Sequence, residues 1–187
     1  NSSIINNANL STADNNVVLM AQENNEANKD WVKLTNNGTI SLTGKGSLAM
    51  YASNGKITNS ANSNITVGDS GTAIYGKNKG VGDTLIENSG TITVGKASTG
   101  IYAKDYETTG VENKGTINLA DDDGIAISYE PNLTSAIVVE NKGKITSTAK
   151  KGTGIYAAKD ANSIQYSALN SGTISLGEGG VGLYTNA

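Results

Sequence analysis

The chain repeats one short phrase at nearly constant intervals, and this repeat constrains the fold more than any other feature. The phrase reads Asn-x-Gly-x followed by an aliphatic residue, and a second phrase close to Gly-Ile-Tyr-Ala follows most copies. A period of roughly 20 to 50 residues is typical of solenoids and related repeat folds. The aliphatic residue that ends the first phrase, called the register residue below, recurs about every 27 residues, at Leu10, Ile40, Ile65, Ile92, Ile117, Ile145 and Ile174.

Two kinds of solenoid have a period of this length. A leucine-rich repeat needs a helix-like segment and a Leu/Asn consensus, and no segment here has helical spacing over ten residues. A parallel β-solenoid needs only short strands and turns. Residues 91–94 (Thr-Ile-Thr-Val) alternate apolar and polar side chains, residues 100–103 form a second strand pattern, and residues 85–87 form a shorter third one. We therefore predict an all-β, right-handed parallel β-helix of about seven coils, with three short strands per coil.

Composition excludes several classes of function. The chain has no cysteine and no histidine, so disulfides, Cys/His metal sites and imidazole or thiolate catalysis are impossible. A net charge of −3 without a basic stripe argues against nucleic-acid binding. We expect no cofactor and no metal site; any dependence on calcium stays open. The sequence opens within the repeat and without Met, so we expect residues 1–187 to be one solenoid segment of a longer protein, with residues 1–33 the least regular coil.

An asparagine precedes the register residue by four positions in six of the seven copies, the exception being Ala61. Its position at a turn, with inward parity, predicts a ladder of side-chain amides along the solenoid. A glycine usually lies two residues before the register residue, and we expect it to need a positive φ. The asparagines assigned to the ladder are Asn36, Asn88, Asn113, Asn141 and Asn170.

A tyrosine recurs in the second phrase, where its neighbours Ile101 and Ile155 have inward parity. Ile125 is also expected to point inward, so the tyrosines should form an outward stripe that is interrupted at Ala126. Ring stacking between coils would stiffen the solenoid; alternatively, the rings could be a platform for sugars. The stripe consists of Tyr51, Tyr75, Tyr102, Tyr156 and Tyr184.

The segment between the tyrosine position and the next asparagine varies in length, so insertions collect on one edge of the solenoid. In repeat folds such an edge often carries the binding site. The predicted loops are residues 22–33, 77–83, 104–110, 128–136 and 159–166. Aromatic side chains at loop tips are good interface anchors. The candidate ligand-binding residues are Trp31, Tyr106, Glu107, Tyr129 and Tyr166.

Other motifs point to no chemistry. Three adjacent aspartates, at positions 121–123, point in different directions and are best interpreted as a solvated turn. Polysaccharide lyases and hydrolases also use β-helices, but the charged residues here form no convergent set on one face. We expect no enzymatic activity.

Coils written as in residues 88–103 and 141–157 resemble the passenger domains of large autotransporter adhesins of the type V secretion system, most similarly those of fusobacteria. The resemblance covers essentially the whole chain. It implies a virulence-associated extracellular passenger on the bacterial cell surface, anchored through an outer-membrane β-barrel that lies outside this sequence. The implied partners are a host cell-surface protein or glycan, or a partner bacterium. The fragment itself could stack end to end.

Three functions follow from this reading. The first is cell adhesion through the variable loops. The second is a purely structural stalk that presents a distal binding tip. The third, much less favoured, is an enzyme acting on polysaccharide. Aromatic residues in the loops favour the first, since a spacer gains nothing from them.

Overall fold

A computed structural model describes residues 2–22, 32–77, 85–105, 110–130, 137–158 and 166–185. In these residues the chain forms 21 β-strands that pair in parallel in three sheets of seven strands each. Neighbours within a sheet are three strands apart along the chain, so each coil gives one strand to every sheet. The predicted parallel β-solenoid, with three strands in each coil, is therefore confirmed. The right-handed sense of its winding stays a prediction.

Strands are numbered in chain order. The first sheet contains β1 (Ser3–Asn6), β4 (Val32–Asn36), β7 (Gly55–Asn59), β10 (Ile86–Asn88), β13 (Val111–Asn113), β16 (Ile137–Asn141) and β19 (Tyr166–Asn170). The second contains β2 (Asn9–Thr12), β5 (Thr39–Leu42), β8 (Asn64–Val67), β11 (Thr91–Val94), β14 (Thr116–Leu119), β17 (Lys144–Ser147) and β20 (Thr173–Ser175). The third contains β3 (Val17–Gln22), β6 (Leu48–Ser53), β9 (Thr72–Lys77), β12 (Thr99–Lys104), β15 (Ile125–Glu130), β18 (Thr153–Ala157) and β21 (Val181–Thr185).

The core is a set of aliphatic columns, because each inward residue lies beside its equivalent in the next coil, about 4.8 Å away. The register residues of the second sheet form one such column, in which Ile92 pairs with Ile65 on one side and Ile117 on the other. All three side chains are at most 1% exposed. Complete burial of one aliphatic side chain contributes about 1.5–3 kcal/mol relative to leaving it exposed. Like-on-like stacking therefore supplies the main stabilisation of the fold.

Strands of the third sheet bend where two consecutive residues point inward. In β12 both Gly100 and Ile101 are buried, and Gly100 has no partner in the strand register. A Cβ atom on Gly100 would lie 2.6 Å from the carbonyl oxygen of Ala126, so this coil leaves room only for glycine at the bend. Alanine or glycine occupies this position in six of the seven coils; the first has Val18.

The bend corrects one sequence-based assignment. Ile125 was expected to point inward, but it pairs with Thr99 and lies on the outer face, half-buried. Ile127 fills the core position instead, beside Ile101. Ala126 is the small residue of the bend, and the core residue of the strand is the one that follows it. The core position is therefore Ile127, two residues beyond Ile125. The interruption in the tyrosine stripe is consequently Ser128 and not Ala126.

Candidate adhesive surface

A row of asparagines, buried in every coil except the last, runs through the corner between the first and second sheets. Six of the seven Nδ2 atoms donate to the Oδ1 atom of the asparagine in the next coil, at 2.6–2.9 Å. Most of these amides also donate to the carbonyl oxygen two residues further along the chain, as Asn113 does to Gly115. Buried polar groups stabilise a fold only when they are paired. The asparagine row consists of Asn6, Asn36, Asn59, Asn88, Asn113, Asn141 and Asn170.

The row contains all five asparagines that were assigned to it from the sequence. In the third coil, however, the structure differs from the sequence-based assignment. Ala61 was taken as a departure from the pattern, but the row continues through Asn59. The turn after Asn59 is two residues longer than in the other coils, so counting back from the register residue missed it. Ser63 stabilises this longer turn, because its Oγ donates to Asn59 Oδ1 at 2.7 Å.

The glycines that lie two residues before the register residues are called the glycine row below. They are needed for a different reason from the one expected. None of these glycines is among the described residues with positive φ. They are required because neighbouring coils approach closely at this corner. A Cβ atom on Gly115 would lie 2.0 Å from the carbonyl oxygen of Gly90, and one on Gly143 would lie 2.1 Å from that of Gly115. The expectation of a left-handed conformation was therefore wrong. The asparagine and glycine rows are structural, so the outer faces are the candidates for contact with a partner.

The three outer faces differ in chemistry. The outer face of the second sheet carries only short polar residues and one lysine: Asn9, Ser11, Thr39, Ser41, Asn64, Thr66, Thr91, Thr93, Thr116, Asn118, Lys144, Thr146, Thr173 and Ser175. Such a face is well hydrated. Threonine is also a favourable residue on the solvent side of a strand, so the composition needs no functional explanation.

The outer face of the first sheet carries a chain of ion pairs in its central coils. Lys114 Nζ lies 2.8 Å from Glu112 and 3.3 Å from Glu87, and Lys142 contacts Glu112 and Glu140. Hydrogen bonds from Lys114 and Lys142 hold the pKa of the Glu112 carboxyl below its usual value. Exposed pairs of this kind contribute little individually to stability.

Two neighbouring rows of side chains on the outer face of the third sheet are largely apolar and aromatic, and together they are called the third-sheet face below. One row is Val17, Leu48, Thr72, Thr99, Ile125, Thr153 and Val181, and the other is Met20, Tyr51, Tyr75, Tyr102, Ser128, Tyr156 and Tyr184. A third row on the same sheet is polar and includes Gln22, Ser53, Lys77, Lys104 and Glu130. All five tyrosines of the predicted stripe are half-buried or exposed on this face.

The rings of the stripe pack against one another. Ring centroids are 5.2 Å apart for Tyr51 and Tyr75, 4.9 Å for Tyr75 and Tyr102, and 5.4 Å for Tyr156 and Tyr184. The ring planes of Tyr156 and Tyr184 are nearly parallel, at 10°, whereas the other two pairs are tilted, at 59° and 30°. Edges and hydroxyl groups remain at the surface. This geometry favours the stiffening role over a platform for sugars, which requires open ring faces.

A polar cluster borders the stripe. The Tyr102 hydroxyl hydrogen-bonds to Glu130, and Lys104 Nζ lies 2.9 Å from the Glu130 carboxylate. Burial and the bond to Glu130 raise the pKa of Tyr102 above its ordinary value. Burial raises the pKa of Glu130, but the hydrogen bonds from Lys104 and Tyr102 outweigh it and hold that pKa below normal. Tyr102 therefore stays a neutral hydrogen-bond donor beside a charged carboxylate.

The loop residues chosen as ligand contacts fall into three groups. Trp31, Tyr106 and Glu107 lie outside the described residues. Tyr166 begins strand β19, and its side chain also lies outside the description. Tyr129 was expected at an exposed loop tip, but it lies in strand β15 and is 1% exposed. It occupies the inward position that Ala103 and Ala157 fill in neighbouring coils, so it is a core residue and no ligand contact.

A row of alternating charges lies at the corner between the second and third sheets, and the sequence reading missed it. One residue in each of these turns has a positive φ, for example Ala97 and Lys151. The residue before it alternates in sign from coil to coil, and Lys150 and Glu178 are paired at 3.0 Å. Aspartates 14 and 122 also accept backbone N–H bonds from the next coil. This corner charge row is Asp14, Lys45, Asp69, Lys96, Asp122, Lys150 and Glu178.

Among the described residues, no group of three or more acidic side chains is arranged to hold a metal ion. Asp121, Asp122 and Asp123 form a turn in which the Asp122 N–H donates to Asp121 Oδ1 at 2.7 Å. The described part of the chain also contains no helix that could cross a membrane.

Comparison with known proteins identifies the family of this chain. A family model described as the BigA third pectate lyase-like domain matches residues 1–145. The chain belongs to this family. The pectate lyase-like description of the family agrees with the parallel β-helix described above. The chain is therefore a β-helix domain of a BigA-type bacterial surface protein. No curated protein and no solved structure matched the chain. The finer resemblance to fusobacterial autotransporters stays a prediction.

Proposed function

We propose that this chain is an adhesive segment of an extracellular surface protein and that it contacts its partner through the third-sheet face. One observation carries the proposal: of the three outer faces, this one has the composition of a protein interface. Aromatic residues and methionine are enriched at the cores of interfaces, while charged residues are depleted there. The partner that fits ring edges, hydroxyl groups and aliphatic side chains is a protein on a host cell or on another bacterium.

The packing of the stripe supports this role. Side chains that are free in solution lose conformational entropy when a partner binds. The Tyr75 ring lies between Tyr51 and Tyr102, and Tyr102 is also held by Glu130. These rings are therefore ordered before contact, which lowers the entropic cost of binding.

We further propose display at the outer membrane after export by an autotransporter route. A chain without cysteine carries no disulfide that would obstruct threading through a pore. Each coil contacts mainly its neighbours, so folding can proceed coil by coil as the chain emerges. We propose that the segment is not an enzyme, although its family description contains the words pectate lyase-like.

The test is binding of the labelled, purified chain to epithelial cells and to co-aggregating bacteria, measured by flow cytometry. The variant Tyr51→Ser/Tyr75→Ser/Tyr102→Ser should bind at least about tenfold more weakly, since each lost anchor at an interface commonly costs more than about 1 kcal/mol. A matched control, Thr66→Ala/Thr93→Ala/Thr146→Ala, alters three positions on the second sheet and should bind within about twofold of the parent.

Circular dichroism establishes that all three proteins are folded. If the folded parent shows no saturable binding, the segment is a spacer. If the tyrosine variant binds as the parent does, the contact lies elsewhere, and a glycan array run in parallel shows whether a sugar is the ligand. Either result rejects the proposed surface.

A further inference from the structure

Three rings of the tyrosine stripe lie in consecutive coils and contact one another. The ring centroids of Tyr75 and Tyr102 are 4.9 Å apart and their planes are inclined by 30°, while Tyr51 lies 5.2 Å from Tyr75 on the other side. All three side chains are half-buried, so part of each ring is within reach of small molecules in solution. Backbones of adjacent strands are about 4.8 Å apart. A covalent link between neighbouring rings would therefore require rotation of side chains and no movement of the coils.

Tyr102 also has a proton acceptor in place. Its hydroxyl group donates to the Glu130 carboxylate, which Lys104 Nζ contacts at 2.9 Å. Despite its burial, Glu130 has a pKa below the ordinary value, because Lys104 and Tyr102 donate to it. The carboxylate is consequently charged at neutral pH. Removal of one electron from a tyrosine makes its hydroxyl group strongly acidic, so Glu130 can take the proton along an existing hydrogen bond, as a general base does.

We propose that Tyr75 and Tyr102 are a site of oxidative cross-linking, at which a haem peroxidase acting with hydrogen peroxide joins the two rings as dityrosine. Each phenol loses one electron and one proton, and the proton of Tyr102 passes to Glu130. The two phenoxyl radicals then couple through the ring carbons beside their oxygen atoms. Each ring regains its aromaticity when the hydrogen on that carbon moves to the oxygen. Hydrogen peroxide accepts the two electrons and the two protons and is reduced to two molecules of water.

Such a link suits the composition and the fold of this chain. The chain has no cysteine, so disulfides cannot join its coils. A bond between residues 75 and 102 would close a loop of one coil, and a cross-link stabilises a protein mainly by restricting its unfolded state. Exposure to peroxide should therefore make this segment more resistant to unfolding. This chemistry is independent of the proposed adhesion, because it requires the ring contact and no partner protein.

The experiment oxidises the folded 187-residue chain, at low protein concentration, with a haem peroxidase and a limiting amount of hydrogen peroxide. Lysines place Tyr75 and Tyr102 on separate tryptic peptides, residues 57–77 and 97–104. Mass spectrometry should find these two peptides joined with the loss of two hydrogen atoms, and the monomeric product should have dityrosine fluorescence and a higher urea midpoint than the untreated chain. The same treatment in concentrated urea, where the rings are no longer held together, should give at least about fivefold less of the joined peptides.

Two variants test the two parts of the site. Tyr75→Phe keeps the ring but has no phenol, so the joined peptides should disappear. Glu130→Gln keeps the shape but is a much weaker base, and it should slow their formation by at least about fivefold. Its matched control is Glu112→Gln, which removes a lysine-paired carboxylate on the first sheet and should react as the parent does.

A folded parent chain that forms no link between residues 75 and 102 overturns the proposal. So does a parent that forms as much of this link in urea as in the folded state, because the geometry would then contribute nothing. A Glu130→Gln chain that reacts as fast as the parent rejects Glu130 as the proton acceptor.

Discussion

Gly143→Ala is expected to destabilise the solenoid by about 3 kcal/mol or more, at the upper end for overpacked substitutions. The new Cβ atom would lie 2.1 Å from the carbonyl oxygen of Gly115 and 2.6 Å from the carbonyl carbon of Lys114. Both contacts are with backbone, so no side-chain rotation can relieve them. The neighbouring coil would have to move away, which lengthens the hydrogen bond from the Gly143 N–H to Asn113 O, now 2.8 Å. Urea unfolding followed by far-ultraviolet circular dichroism measures the loss.

Gly182→Ala is the matched control, because a Cβ atom there would meet nothing within 4 Å. Its stability should differ from the parent by no more than about 1 kcal/mol, and alanine in a strand is if anything more favourable than glycine. Unfolding midpoints are the quantity to compare, since repeat proteins can depart from two-state unfolding. Equal midpoints for the two variants would show that the coils do not approach as closely as described.

Asn113→Leu is expected to cost about 3–5 kcal/mol, because it leaves several buried polar groups without partners at about 1–3 kcal/mol each. Asn113 is fully buried and accepts from Asn88 Nδ2 at 2.7 Å. It donates to Asn141 Oδ1 at 2.6 Å and to the Gly115 carbonyl oxygen. Leucine has the same branched shape and is somewhat larger, so the substitution leaves no cavity. The same urea titration measures it.

Two variants separate the asparagine row from general effects of leucine. Asn118→Leu changes a half-buried asparagine on the outside of the same coil and should cost less than about 1 kcal/mol, as surface substitutions do. Asn113→Asp keeps the shape and the acceptors but has no amide donor, so it should also be strongly destabilising. An Asn113→Leu protein as stable as Asn118→Leu would mean that the row contributes nothing to stability.

Much of the fold could be predicted from the sequence, because in a solenoid each inward position repeats the same chemistry. Ile92 and Ile117 were recognised as equivalents from spacing alone, and the structure pairs them. The same reasoning failed wherever a turn changed length. Asn59 was missed because its turn is longer, and Ile125 was misassigned because the bend in β15 places Ala126 and Ile127 both inward.

The candidate surface was only partly predictable. The tyrosine stripe could be recognised from period-2 alternation, but whether its rings cover one another depends on rotamers that the sequence does not specify. Tyr129 was assigned to a loop because aromatic residues beside a proline in a variable segment are typical of loops. It is a core residue because β15 extends to Glu130. The corner charge row could not be recognised from the spacing, because its members lie four residues after the register residue in some coils and five in others. No single offset from the register residue therefore shows the alternation of positive and negative charge.

Every feature described above depends on one claim, that each coil stacks on the next in a fixed register. Disulfide mapping tests this most directly, since the chain has no cysteine of its own. Thr93 and Asn118 are register partners in adjacent coils, and a spacing of about 4.8 Å suits a disulfide. Thr93→Cys/Asn118→Cys should therefore form an intramolecular disulfide in the folded chain, measured by mass spectrometry. Thr93→Cys/Thr146→Cys, with two coil spacings between the cysteines, should not. A cross-link in the second pair but not in the first would contradict the register and, with it, the solenoid described here.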